Sequence, residues 1–64
     1  MIPVMIIEDE FLVRVGLKTS IDWEGCGYEV VTEAEDGEGA VEKFRQFYPK
    51  LVVTDIRLPK KDGL

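Results

Sequence analysis

The sequence predicts an α/β fold: a parallel, doubly wound sheet built in the order strand–helix–strand–helix–strand. Three observations point to it. Val4-Met5-Ile6-Ile7 and Leu51-Val52-Val53-Thr54 read as buried strands, with apolar runs rather than alternation, the pattern of strands covered on both faces. Between them lie two segments with apolar residues at helical spacing, separated by one alternating stretch. Each strand leads straight into acid, Glu8-Asp9-Glu10 after the first and Asp55 after the last.

Size and composition bound the answer. A chain of 64 residues makes one domain at most; chains this short bury only about 60% of their unfolded surface. The hydrophobic content of 45% is that of a globular protein rather than a disordered tail. No apolar run reaches the length of a membrane span, and the N-terminus lacks the positive flank and small-residue cleavage site of a signal peptide. The net charge of −5 argues against binding of nucleic acid by these residues, since phosphate contacts need clustered Lys and Arg. Cys26 is the sole cysteine and permits no internal disulfide, which fits a reducing, cytoplasmic setting. Histidine is absent, so histidine chemistry has to come from another molecule.

In chain order, the first strand covers residues 3–7, and Glu8-Asp9-Glu10 then suits the electropositive start of a helix. For Glu10 that role is sufficient. The first helix is expected over about residues 10–19, with Phe11, Leu12, Val13, Val15 and Leu17 forming a broad apolar face and Arg14 and Lys18 turned to water. Gly16 weakens a helix and is read as a close approach to the sheet. In the loop that follows, Asp22 is placed to cap a short turn, Gly25 and Gly27 punctuate it, and Trp23 anchors it. The second strand, residues 28–34, alternates Tyr28, Val30, Thr32 and Ala34 with Glu29, Val31 and Glu33, as a half-buried edge strand does. Glu35-Asp36-Gly37 is a turn. The second helix spans about residues 38–47 with Ala40, Val41, Phe44 and Phe47 on one face, and Pro49 stops it.

Connections of this length make the strands parallel, and right-handed crossovers are the rule. The most apolar strand, the first, belongs in the middle, which gives the order 2-1-3 with the two helices on opposite faces. The winding then reverses between strands one and three, and in open α/β sheets the ligand crevice lies at that point, outside the carboxyl ends of the strands. Glu8, Asp9 and Asp55 follow those two ends. Carboxylates gathered in one crevice repel one another unless a cation neutralises them. Mg²⁺ suits such a set, because it takes oxygen ligands, one or two carboxylates among them, and keeps several waters.

Three stretches carry a resemblance: Ile6-Ile7-Glu8-Asp9-Glu10; Ala34-Glu35-Asp36-Gly37-Glu38-Gly39-Ala40; and the run from Pro49-Lys50-Leu51 through Thr54-Asp55-Ile56-Arg57-Leu58-Pro59-Lys60-Lys61-Asp62-Gly63-Leu64. Together they resemble the receiver domains of two-component response regulators. The resemblance implies a flavodoxin-like sheet of which residues 1–64 are the first, βαβαβ half, lacking the last two strands, the family's hydroxyl residue on the fourth and its lysine on the fifth. It implies that Asp55 accepts a phosphoryl group from a sensor histidine kinase, as an acceptor rather than a turnover enzyme. It also implies that Mg²⁺ is held by the carboxylates of Asp9 and Asp55 and the backbone carbonyl of Arg57, with Glu8 reaching it through water. Glu8 is a departure, since the family more often has Asp there. The Asp22-Trp23-Glu24 loop resembles the branch whose receivers are joined to an arabinose-regulator-type helix-turn-helix domain, which implies control of transcription through a DNA-binding output domain. The half-receiver alone is expected not to switch.

Other classes fit the sequence less well. Gly37-Glu38-Gly39 opens a helix after a strand with Asp55 downstream, as a dinucleotide-binding unit does, but Glu42 stands where that fingerprint needs a third small residue, and Glu35, Asp36 and Glu38 would repel a pyrophosphate. A metal-independent protein-interaction module is the main alternative. A strand with a bare apolar edge is also a template for another strand, so self-association through the edge of strand three is expected of the half-domain.

Overall fold

The computed structural model describes residues 1–54. Its elements are β1 (Ile2–Ile7), α1 (Phe11–Ser20), a 3-10 turn (Glu24–Cys26), β2 (Tyr28–Ala34), α2 (Gly37–Phe47) and β3 (Leu51–Thr54). The three strands are parallel in the order β2-β1-β3, as the pattern predicts. The apolar run in β1 accounts for its central place: Val4 and Ile6 are fully buried and Met5 is 2% exposed.

β2 carries a bulge. Val4 pairs with Val30, but Met5 pairs with Thr32, so Val31 has no partner of its own. An unbroken register from Ile2 and Tyr28 would set Glu33 opposite Ile7. The bulge instead sets Glu33 opposite Ile6 and Ala34 opposite Ile7. Successive strand residues point to opposite faces, and here they do. Ala34 joins Met5, Ala40 and Ile7 in the cluster beneath α2, whereas Glu33 reaches Arg14 and Lys18 of α1. The two helices thus cover opposite faces of the sheet.

α1 departs from expectation in two ways. Arg14 does not face water: its side chain is 13% exposed and is engaged with Glu33, while Lys18 is bonded to the same carboxylate. A partner on the edge strand, brought round by the bulge, overrides the helical pattern. Nor does Gly16 mark a close approach, because a Cβ there would meet nothing within 4 Å. Of the apolar residues, Leu17 is half-buried, while Phe11 and Leu12 are exposed. Side chains bond carbonyls near the helix end; of these, Leu17 O is one of the last four, which lack intrahelical partners. Thr19 Oγ1 donates to Val15 O and the Trp23 indole N–H to Leu17 O, at 2.9 and 3.3 Å. Trp23 also meets Tyr28 edge-to-face, so the loop anchor is as read.

α2 begins one residue earlier than the sequence pattern, because Asp36 caps it: Oδ1 accepts from the Gly39 N–H at 2.7 Å. Gly39 lies close beneath that cap; a Cβ would fall 3.2 Å from Asp36 Oδ1. The helix ends at Phe47, and Tyr48 turns the chain with φ 49° ahead of Pro49. Only Ala40 of its expected apolar face is buried; Val41, Phe44 and Phe47 remain 53%, 47% and 41% exposed. Lys50 N–H then donates to Pro3 O at 2.8 Å, which starts β3 alongside β1.

Candidate metal centre

The site lies where β1 and β3 run out together. Ile7 and Thr54 are register partners, and Glu8 is the next residue of the first strand's path. Its N–H donates to Ala34 O at 2.9 Å and continues the ladder with β2 one step beyond Ile7. The Glu8 side chain is folded back into the protein, 2% exposed, and its Oε2 accepts from the Glu10 N–H at 2.9 Å. Asp9 and Glu10 are exposed. The Glu10 carbonyl accepts the first helical bond of α1, from the Arg14 N–H at 3.0 Å.

Among the described residues, Glu8, Asp9 and Glu10 form a group with metal-ligand spacing: one carboxylate oxygen from each lies within 4.8 Å of the others. The sequence pattern assigns Glu10 to the helix start. The structure leaves α1 without an acid in its first turn and Glu10 as an extended N-cap residue that makes no side-chain cap bond, so its carboxylate joins the other two. The signal was the run of three acids after an apolar strand. An apolar cleft bounded by Val13 and Leu17 of α1 and by Val53 and Thr54 of β3 opens onto Glu8. Asp55 and Arg57, the other two predicted site residues, lie outside the described residues.

A hard divalent cation fits this donor set. All the donors are oxygens, they are negatively charged, and two of the three carboxylates face solvent, which a cation that retains waters requires. The second acidic region, beside the N-terminus of α2, is different. Glu35, Asp36, Glu38 and Glu42 line a groove there, and the Gly39 amide is already taken by Asp36. A pyrophosphate would meet carboxylates in that groove rather than free amides.

Around the centre runs one ionic chain. Arg14 Nε and Lys18 Nζ hold the two oxygens of Glu33, at 2.8 and 2.5 Å. The bond from Lys18, and then that from Arg14, keep the Glu33 carboxyl below its usual range even though partial burial works the other way. Arg14 Nη1 donates onward to the Glu8 carbonyl at 2.7 Å.

The parallel order β2-β1-β3, with a helix on each face and acids at the end of β1, is that of a flavodoxin-like α/β sheet. The chain belongs to the response regulator receiver domain family, whose model matches residues 4–64. It is 44% identical over all of its 64 residues to an uncharacterized response regulatory protein of Staphylococcus epidermidis, of which it covers 26%. It is 41% identical over the same 64 residues to the transcriptional regulatory protein HptR of Staphylococcus aureus, of which it covers 25%. The chain thus spans about a quarter of the length of the curated relatives it matches. No helix among the described residues is long and apolar enough to cross a membrane.

Proposed function

We propose that this chain is the phosphoacceptor part of a response regulator, that Asp55 is its acceptor, and that Mg²⁺ is held by Asp9, Asp55 and the Arg57 backbone carbonyl with Glu8 contacting it through water. The observation that supports this most is the pairing of Ile7 with Thr54: the acidic run and Asp55 each follow one of these two residues in the chain. The donor would be a phosphohistidine of a sensor kinase. A carboxylate oxygen of Asp55 attacks phosphorus as the N–P bond breaks, and the imidazole leaves with the electron pair. Bound Mg²⁺ neutralises charge on the phosphoryl oxygens; the chain's own acids hold and orient it.

On this reading residues 1–64 correspond to the first half of a receiver, the working protein is cytoplasmic, and it acts on DNA only through an output domain. The similarity to a transcriptional regulatory protein of Staphylococcus aureus supports that role, and the Asp22-Trp23-Glu24 loop favours an arabinose-regulator-type helix-turn-helix output. The protein accepts phosphoryl and is not a turnover enzyme. Mg²⁺ titration with beryllofluoride, against an Asp55→Asn variant, tests the proposal in the full-length protein. A saturable response that disappears in the variant is expected. Equal responses from both would overturn the acceptor role.

The second reading is a metal-independent interaction module, favoured by the exposed Val41, Phe44 and Phe47 on α2 and by Leu51 and Val52 on β3. It is distinguished by partner binding that survives Asp9→Asn and chelation.

A further inference from the structure

The side chain that departs furthest from its sequence pattern is Arg14. A cation in a solvated helix position is commonplace; a largely buried one aimed at a backbone carbonyl beside an acidic site is not. The guanidinium is a rigid planar fork. Its Nε donates to Glu33 Oε1 and its Nη1 to the Glu8 carbonyl oxygen, at 2.8 and 2.7 Å. The Phe11 ring lies 5.6 Å from its central carbon.

The Glu8 carbonyl is the last backbone group before Asp9, and it shares one rigid plane with the Asp9 nitrogen. Its own N–H is fixed on Ala34 and its side chain on the Glu10 N–H. With the carbonyl held by Arg14, Glu8, the residue from which the chain enters Asp9, is restrained at its N–H, its carbonyl and its side-chain Oε2. Glu33 holds the far side of the fork, and Glu33 is in reach only because of the bulge at Val31.

We infer that Arg14 is a positioning residue of the metal centre: by anchoring the Glu8 carbonyl to Glu33 of β2 it sets the direction in which Asp9 presents its carboxylate to a divalent cation. The inference rests on the metal reading given above. Two effects oppose each other. A cationic side chain near a cation site disfavours binding by charge, whereas a fixed ligand backbone favours it. Glu33 offsets one of the two positive charges of Arg14 and Lys18, and the three acids at positions 8–10 outweigh the other, so the second effect is the larger.

That ordering gives the test its sign. In the full chain, Mg²⁺ affinity by calorimetry is expected to fall about tenfold in Arg14→Gln, the scale typical of removing a group that orients a metal ligand. Lys18→Gln removes the same charge from the same network without touching Glu8, and its affinity is expected to stay level or rise. Arg14→Lys keeps the charge, loses the fork, and is expected to weaken binding. Without metal, exchange of the Glu10 amide is expected to quicken in both Arg14 variants while the Ile6 and Val53 amides stay protected. Loss of protection at Ile6 and Val53 in Arg14→Gln would mean unfolding, and Arg14→Lys then decides. Equal or tighter Mg²⁺ binding in a folded Arg14 variant, with Asp9→Asn still weakening it, would overturn the positioning role alone. An Asp9→Asn variant that binds like wild type would overturn the metal reading beneath it.

Discussion

Glu33 shows what a single residue does in this protein. It sits on an edge strand, 31% exposed, between Arg14 and Lys18. Its carboxyl is held below the ordinary range, by Lys18 first and then by Arg14. A group whose pKa is depressed on folding contributes stability that is complete above its unfolded value and is lost as the pH falls through the folded one. The urea midpoint is therefore expected to decline across that acid interval, and to decline less in Glu33→Gln. At neutral pH the same variant is expected to lose about 1 kcal/mol, a figure kept small because the pair is partly solvated. Unchanged midpoints at both pH values would remove Glu33 from the stabilising network. The sequence did not disclose this triad. A helical pattern assigns Arg14 and Lys18 to solvent, and nothing in the composition of β2 announces a one-residue bulge that turns Glu33 towards them. That the acids at positions 8 and 9 lie together at the end of β1 was legible, because the strand order puts them at the switch point; that Glu10 joins them was hidden by the plausibility of an acid in a first helical turn.

At the scale of elements, local chemistry and packing can be tested separately. α2 owes its start to the Asp36 cap on Gly39, so Asp36→Ala is expected to cost about 1 kcal/mol and Asp36→Asn much less. Chemical denaturation of the two variants decides; equal losses would mean that the carboxylate charge, not the cap bond, matters. The turn into β2 passes through Gly27 at φ 87°, where Gly27→Ala is expected to cost about 1 kcal/mol. β1 is the element on which the sheet depends. Ile6 is fully buried, and Ile6→Ala is expected to cost about 2–5 kcal/mol, enough to unfold a domain whose whole core supplies about that much. A cooperative melt in Ile6→Ala near the wild-type temperature would contradict a core centred on β1. Strand order and the two crossovers were readable from apolar runs and handedness. The exposed apolar residues of α2 were not, since a hydrophobic stripe shows which residues suit burial and not what is present to cover them.

At the scale of the molecule, the fold brings the ends of β1 and β3 side by side and, among the described residues, β3 stands at an edge, with Leu51 and Val52 at 37% and 39% exposure. Such an edge is a template for a further strand, and the 64-residue chain by itself is expected to self-associate, with sedimentation shifting on dilution through the micromolar range. A well-folded monomer throughout would refute that. The function proposed depends on a different consequence of the same topology: carboxylates distant in sequence sharing one cation at the strand ends. Paramagnetic broadening by Mn²⁺ in the isotope-labelled full chain reads this most directly. The expected result is loss of the amide signals of Ile7 to Glu10 together with those of Val53 and Thr54, relieved in both Asp9→Asn and Asp55→Asn. Broadening centred on Glu35 and Glu38, or indifferent to either substitution, would contradict it.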